Sequence, residues 1–311
     1  MIATVTLNPS LDKTVTVEGL VVDEANRWTS LRRDAGGKGI NVSRVIHELG
    51  GETVAYGFIG GFDGEILKHL LEQQCVPFDF TPVKGDIRSN FIITNLKTHR
   101  QTRIDAPGPY ISKGEMEDLV LKVMNIKPKP EFLVFAGSVP PGVPDDIYNT
   151  LIEEARKRGV KTLLDSDDEW LAEGVRATPD VIKPNIHEAE ELLGVKLKQE
   201  VEIVQAAQNL AAQGIGVVAI SRGKDGLIVV SGGKVLRVIP PKVEISSTVG
   251  AGDSAVAGLV LKLSQGNEIE EACRLAVAAG TAATLTPGTE LCRREDVERI
   301  LPLVKVEQIS S

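Results

Sequence analysis

Residues 247–261 read STVGAGDSAVAGLVL. Gly250, Ala251 and Gly252 stand before an apolar helical run, and Asp253 follows them directly. Successive backbone N–H groups at a helix N-terminus close readily around an anion. A carboxylate beside that anion could take the proton of an attacking hydroxyl during phosphoryl transfer. An aspartate at a helix start also serves as an N-cap, and these residues alone leave both readings open. Gly250-x-Gly252-x-x-Ala255 meets the loose dinucleotide fingerprint as well. That fingerprint needs a following strand ending in an acid, whereas residues 268–279 read as helix. No Walker A sequence is present.

Four further stretches carry candidate chemistry. AGGKGIN (35–41) is a second glycine-rich helix start, where a ligand could approach the backbone with Lys38 and Asn41 as donors; taken alone, a tight turn into a helix is the better reading. IKPNIHEAE (182–190) sets Asn185 and Glu188 three apart. That spacing is a capping box, or a pair that orders metal-bound water near nucleotide phosphates. AGSVPPG (136–142) and ISRGKDG (220–226) each end a strand in small residues, with Ser138 a possible donor and Lys224 a possible surface charge. Open α/β sheets bind ligands at such strand ends. His47, His69, His99 and His187 are scattered without metal-ligand spacing.

Positioning these groups requires strands alternating with helices. Strands are expected at 2–7, 53–59, 131–137, 161–165, 180–185 and 216–221, and a hairpin around Ser231-Gly232-Gly233. Helices are expected from GGKGIN to Gly50-Gly51 and at 64–74, 145–158, 187–193, 200–213, 253–265 and 268–284. Several strands are apolar throughout, as in a parallel sheet covered on both faces. The segments 12–33 and 86–106 break the alternation and read as a small accessory sheet, a lid or a dimer contact.

The chain has 311 residues, 42% of them hydrophobic and 25% charged, which points to a folded globular protein rather than a disordered one. Its net charge of −8 comes without basic runs, so nucleic acid and anionic membrane are not expected partners. Aromatic residues make up 4%, too few for a base-stacking platform. Cys75, Cys273 and Cys292 are odd in number and far apart, which fits a reducing cytoplasm better than a disulfide framework. The opening MIATVTLNPS reads as a strand rather than a signal peptide, and no apolar run is long enough to span a membrane.

GGKGIN, PNIHE and STVGAGDSAVAG, in that order, resemble the two signatures and the Asn-x-x-Glu motif of the PfkB-type, ribokinase-like carbohydrate kinases. TLNPSLDKT and AGSVPPG are similar to the phosphofructokinase branch. AAGTAATLTPGTELC (278–292) resembles its type 2 6-phosphofructokinases, whereas IDAPGP (104–109) leans toward the 1-phosphofructokinases and tagatose-6-phosphate kinases. The resemblance implies one three-layer α/β/α domain over 1–311, with a mostly parallel sheet and a β lid from about 12–33 and 86–106. It implies ATP with Mg2+ as donor, often a K+ ion, and a homodimer through the lid. The acceptor would be a ketohexose phosphate, foremost fructose 6-phosphate, giving fructose 1,6-bisphosphate.

By position, the resemblance makes Asp253 the base and Gly250, Ala251 and Gly252 the anion hole. Asp12, Gly37, Lys38, Asn41 and Ser138 would contact the sugar. Arg88 would hold its phosphate, with Arg27 a second cation from the same or a partner lid. Asn185 and Glu188 would serve Mg2+, and Ser221, Gly223, Gly226 and Thr248 would line the nucleotide. Ser247, Val249, Thr281 and Gly288 would neighbour the monovalent cation. Lys38 departs from the best-known type 2 pattern and bears on which sugar phosphate is preferred. Other readings are a ribose or nucleoside kinase, and a sugar-phosphate or nucleotide sensor without catalysis; a sensor has no need of Asp253.

Overall fold

A computed structural model describes residues 1–98 and 100–309; His99 lies outside the described residues. The chain begins with β1 (Ile2–Thr6), leaves for β2 (Ser10–Val17) and β3 (Trp28–Gly36), and returns through α1 (Lys38–Glu48) to β4 (Thr53–Ile59). Next come α2 (Gly61–Gln73), β5 (Thr81–Pro82), β6 (Arg88–Asn95) and β7 (Arg100–Ile104). The middle holds α3 (Lys113–Met124), β8 (Phe132–Ala136), α4 (Ile147–Lys157), β9 (Lys161–Asp165), α5 (Asp168–Arg176), β10 (Val181–Ile182), α6 (Ile186–Leu193) and α7 (Glu200–Ala211). The last part holds β11 (Val217–Ser221), β12 (Leu227–Ser231), β13 (Lys234–Ile239), α8 (Ala251–Ser264), α9 (Ile269–Ala283), α10 (Arg294–Ile300) and β14 (Lys305–Gln308).

The main sheet runs β14-β13-β12-β11-β10-β9-β8-β1-β4-β5. Strands β5 through β11 in that order pair in parallel, and β11 to β14 pair antiparallel as the expected hairpin and its extension. β8, with sequence FLVFA, shows why the parallel strands are apolar throughout. Leu133 and Phe135 enter a core with α4 and α7, while Phe132, Val134 and Ala136 enter another with α1, α8 and α9. Successive side chains point to opposite faces, so a sheet covered on both sides buries them all.

A separate sheet, β3-β2-β6-β7, forms from the two segments that broke the alternation. Strand β10 is shorter than the expected 180–185. Pro184 has no N–H for the ladder, and Asn185 has already turned to cap α6. Helix α8 begins at Ala251, two residues before the expected 253, with Gly250 in the left-handed region at φ 75° as its N-cap. The middle of α8, Ser254 to Leu261, is buried, and Gly258 lets it press onto α9: a Cβ there would sit 2.7 Å from Leu275 O.

Candidate active site

The parallel strands end on one edge, and the chemistry-bearing residues collect there: Asn8 just past β1, Ser138 past β8, Asp165 at the end of β9, Lys183 past β10 and Ser221 at the end of β11. Strand order reverses between β1 and β8, where open α/β sheets form a crevice. Asn8 Nδ2 bridges it, donating to Ser138 Oγ at 3.2 Å and to Pro107 O at 3.0 Å.

Asp253 is the third residue of α8 and makes no capping bond. Its Oδ2 instead accepts from Asn41 Nδ2 at 2.8 Å, joining the two glycine-rich helix starts. Burial and then Asp165 push its carboxyl up to about 6; Asn41, Lys38 and Lys183 work against that rise. Lys38 lies 4.0 Å from Asp165 and 3.7 Å from Asp167. Burial opposes its charge, but the surrounding acids, Asp165 first, hold the ammonium charged more firmly than usual. Lys183 reaches Asp165 at 3.5 Å, and a Cβ on Gly252 would sit 3.7 Å from its Nζ. Lys38 and Lys183 thus share Asp165, and the charge of both also acts on Asp253.

Gly37 (φ 111°) starts α1, and the glycine at 39 lets the helix close on β1, where a Cβ would meet Thr6 Oγ1 at 2.5 Å. Asp12 accepts from Ser10 Oγ at 2.8 Å and Asn90 Nδ2 at 3.0 Å; burial raises its pKa. Arg88 donates to Asn8 O at 3.2 Å and Ala106 O at 3.4 Å, on the wall of a cleft of about 420 Å³ that also includes Ser138 and Trp170. Arg27 is exposed, and among the described residues it makes no hydrogen bond or ion pair, so a single chain does not bring it to the others.

Asn185 and Glu188 do form a capping box, with reciprocal bonds of 2.9 and 2.8 Å. The pair still belongs to the site: burial and then Asp165 raise the Glu188 pKa, against Lys38 and Lys183. A divalent cation would relieve that crowding of carboxylates. Among the described residues no cluster of three or more His, Cys, Asp or Glu could hold a metal by itself. Ser221 N–H donates to Pro184 O at 2.9 Å beside Asn185, and Gly223 and Gly226 shape the turn after β11. Thr248 is exposed ahead of α8, its carbonyl accepting from Ala251 N–H at 3.4 Å. Ser247 Oγ donates to Gly288 O at 2.9 Å and accepts from Val249 N–H at 3.2 Å, and Ser247 N–H meets Thr284 O, next to Thr281.

The pfkB family carbohydrate kinase pattern matches residues 5–296. The chain belongs to that family. It is 37% identical over 310 residues to a 1-phosphofructokinase of Borreliella burgdorferi, covering 99% of each. It is 36% identical over 301 residues to the ATP-dependent 6-phosphofructokinase isozyme 2 of Escherichia coli, covering 96% of this chain and 97% of that one. A crystal structure of phosphofructokinase-2 from Escherichia coli in complex with potassium superposes with a TM-score of 0.93 at 34% identity, over 97% and 98% of the two chains. The fold is thus ribokinase-like, and this pfkB-family chain is a sugar-phosphate kinase. No helix among the described residues is long and apolar enough to cross a membrane.

Several residues of this pfkB-family site carried no signal of their own. Lys183 sits inside the quoted IKPNIHEAE, yet only its 4% exposure among Asp165, Asp253 and Gly252 marks it. Asp165 ends an expected strand. Asn8 and Arg44 matter through contacts nearly a hundred residues or one helical turn away. Arg103 reaches Asp12 only because Ile92 pairs with it across β6 and β7.

Proposed function

We propose that this chain transfers the γ-phosphoryl group of ATP to a fructose monophosphate, with fructose 6-phosphate as the leading acceptor and fructose 1,6-bisphosphate as product. The observation that carries the reading is Asp253: a carboxylate in the first turn of α8, behind Gly250 and Gly252, bonded to Asn41 of the other glycine-rich helix start at 2.8 Å, its pKa raised by burial. In this reading Asp253 accepts the sugar hydroxyl's proton while the N–H groups of Ala251 and Gly252 face the developing phosphoryl charge. Lys183 and Lys38 supply the positive field that an acidic chain otherwise lacks. Asn185 and Glu188 would hold Mg2+ through water, and that ion would offset charge on the ATP phosphates. Ser221, Gly223, Gly226 and Thr248 would line the nucleotide.

Asp12, Gly37, Asn41 and Ser138 would orient the sugar, and Arg88 would take its phosphate. Lys38 is already engaged by two aspartates, which leaves the acceptor's phosphate to Arg88. Similarity to 1-phosphofructokinases at 37% supports a second reading, fructose 1-phosphate. Ser247, Val249, Thr281 and Gly288 would surround K+; Ser247, Val249 and Gly288 are directly joined, which supports the site.

The second sheet would act as the lid. Residues paired across its strands share a face, so Asp12, Asp34, Asn90 and Arg103 lie on one side and Val15, Leu31, Phe91, Ile93 and Ile104 on the other. The first side faces the cleft. The second leaves Phe91 40% and Ile104 55% exposed, with Trp28 63% exposed opposite Val17, a surface suited to a second copy of the chain. Such a homodimer would also bring Arg27 of one copy toward the cleft of the other. The test is ADP release with Mg-ATP and fructose 6-phosphate, fructose 1-phosphate, tagatose 6-phosphate, fructose and ribose, ranked by kcat/KM. Preference for another ketohexose phosphate changes the acceptor alone; no turnover by folded, ATP-binding protein overturns the assignment.

A further inference from the structure

The Asn41 amide has chemically opposite ends, and both are engaged. Nδ2 donates to Asp253 Oδ2 at 2.8 Å, and Oδ1 accepts from Arg44 Nη1 at 3.2 Å. Arg44 lies three residues further along α1 and is itself held in place. Its Nη1 also donates to Ala35 O at 2.8 Å, and its Nε donates to Gln74 Oε1 at 2.8 Å. A guanidinium has donors only, so it tolerates Oδ1 and rejects the NH2 of Asn41. We propose that Arg44 is a positioning residue for phosphoryl transfer: it fixes the Asn41 amide with its donor toward the Asp253 carboxylate.

The alternative orientation shows what is at stake. A flipped Asn41 would turn Oδ1 toward Asp253, acceptor against acceptor. Only protonated Asp253 could satisfy that contact, and protonated Asp253 cannot take the sugar's proton. Arg44 therefore selects the basic form without touching substrate. Asp165 from β9 opposes that form, while Lys38 from α1 and Lys183 beyond β10 support it. Around Arg44 itself stand Asp34 and Arg32 of β3, Asp12 of β2 and Asp253 of α8. The inference rests on Asp253 being the base.

The experiment is a double-mutant cycle read as kcat/KM against pH. Arg44→Met is expected to lower kcat/KM at neutral pH about tenfold, the scale of a lost hydrogen bond to a charged group. The acid limb should move to higher pH by roughly half a unit or more, as expected when a carboxylate loses a donor. In an Asn41→Ala background the same change should cost less than about twofold, since Arg44 then has no amide to orient. Arg44→Lys keeps a cation without the fork and should give the same pattern at smaller amplitude, including if the Met variant fails to fold. An equal loss in both backgrounds, or an unmoved acid limb, overturns the inference. Asp253→Asn separates the two claims: if it keeps full turnover the base reading falls. If it is inactive while Arg44 acts equally in both backgrounds, only the positioning role falls.

Discussion

The Lys183 ammonium lies 3.5 Å from Asp165 Oδ1, with side chains only 5% and 4% exposed. A buried pair of this kind adds little net stability after desolvation, so its place beside Gly252 points to function. Lys183→Met should lower kcat/KM by about a hundredfold, the scale of losing one transition-state donor, and raise the KM for ATP. Asp253 loses a cation as well, so its carboxyl should rise further and the acid limb should move to higher pH than in the unsubstituted protein. A kinetic profile over pH 5–9 checks this; unchanged KM and limb would remove Lys183 from the site.

Asp253→Asn should lower turnover by roughly two to four powers of ten, the usual span for a lost general base, and should also stabilise the protein. The Asp253 pKa rises from 3.8 to about 6 on folding. The folded chain therefore holds that proton more tightly than the unfolded one, and the stability this gives is lost as pH rises through about 6. At pH 7.5 the ionised group costs the fold at most about 3 kcal/mol, which asparagine relieves. Thermal melts of both proteins at pH 5 and 7.5 should show the gain at the higher pH. A lower melting temperature at pH 7.5 would contradict it.

The two glycines at the α8 start should separate stability from activity. Gly250 is left-handed at φ 75°, and a Cβ there would lie 2.5 Å from Leu291 Cδ2. Gly250→Ala should therefore cost about 1–2 kcal/mol from the backbone alone. Gly252 is helical, and its Cβ would meet only Lys183 Nζ, at 3.7 Å. Gly252→Ala should leave stability equal or raise it by about 0.5–1 kcal/mol. Gly252→Ala should lose turnover because its methyl group would occupy the phosphoryl path, whereas Gly250→Ala should lose it through the displaced helix start, since its methyl group meets Leu291. Denaturation curves beside kcat decide it: full activity in Gly252→Ala would refute the anion hole.

The outer face of the second sheet predicts an assembly. Replacing Ile104 and Trp28 together by aspartate should halve the sedimenting mass, from twice the 33.4 kDa chain to the chain itself. Acceptor KM should rise in parallel as Arg27 of the partner copy is lost. A wild-type protein that sediments at the mass of one chain would rule this out.

Much of this architecture could be read beforehand, for identifiable reasons. FLVFA and KTLLD are apolar on both faces, and the α8 run is apolar all round, so burial announces them. Helix α3 is faint in the sequence, since it buries only Leu119 and Val123, although Ser112 and Glu115 spell a capping box at its start. Helix α5 was concealed by the acid-rich DSDDEW and by Gly174, which is needed because a Cβ there would meet Leu164 Cδ2 at 2.5 Å. The glycine-rich motifs and Asp253 were legible because their chemistry is local. Lys183, Asp165 and Arg44 were not, since their meaning arises only where several strand ends and α1 meet.

The close seating of α8 on α9 has a mechanical consequence. Besides Gly258, Gly280 brings α9 so near that a Cβ would lie 3.1 Å from Ala251 O, in the first turn of α8. The two helices are thereby locked in register at both ends of their crossing, and interiors packed this tightly deform little. The direction of the first turn of α8 is set like a jig when the chain folds. In the proposed reaction, none of that organising work would have to be repeated at each turnover.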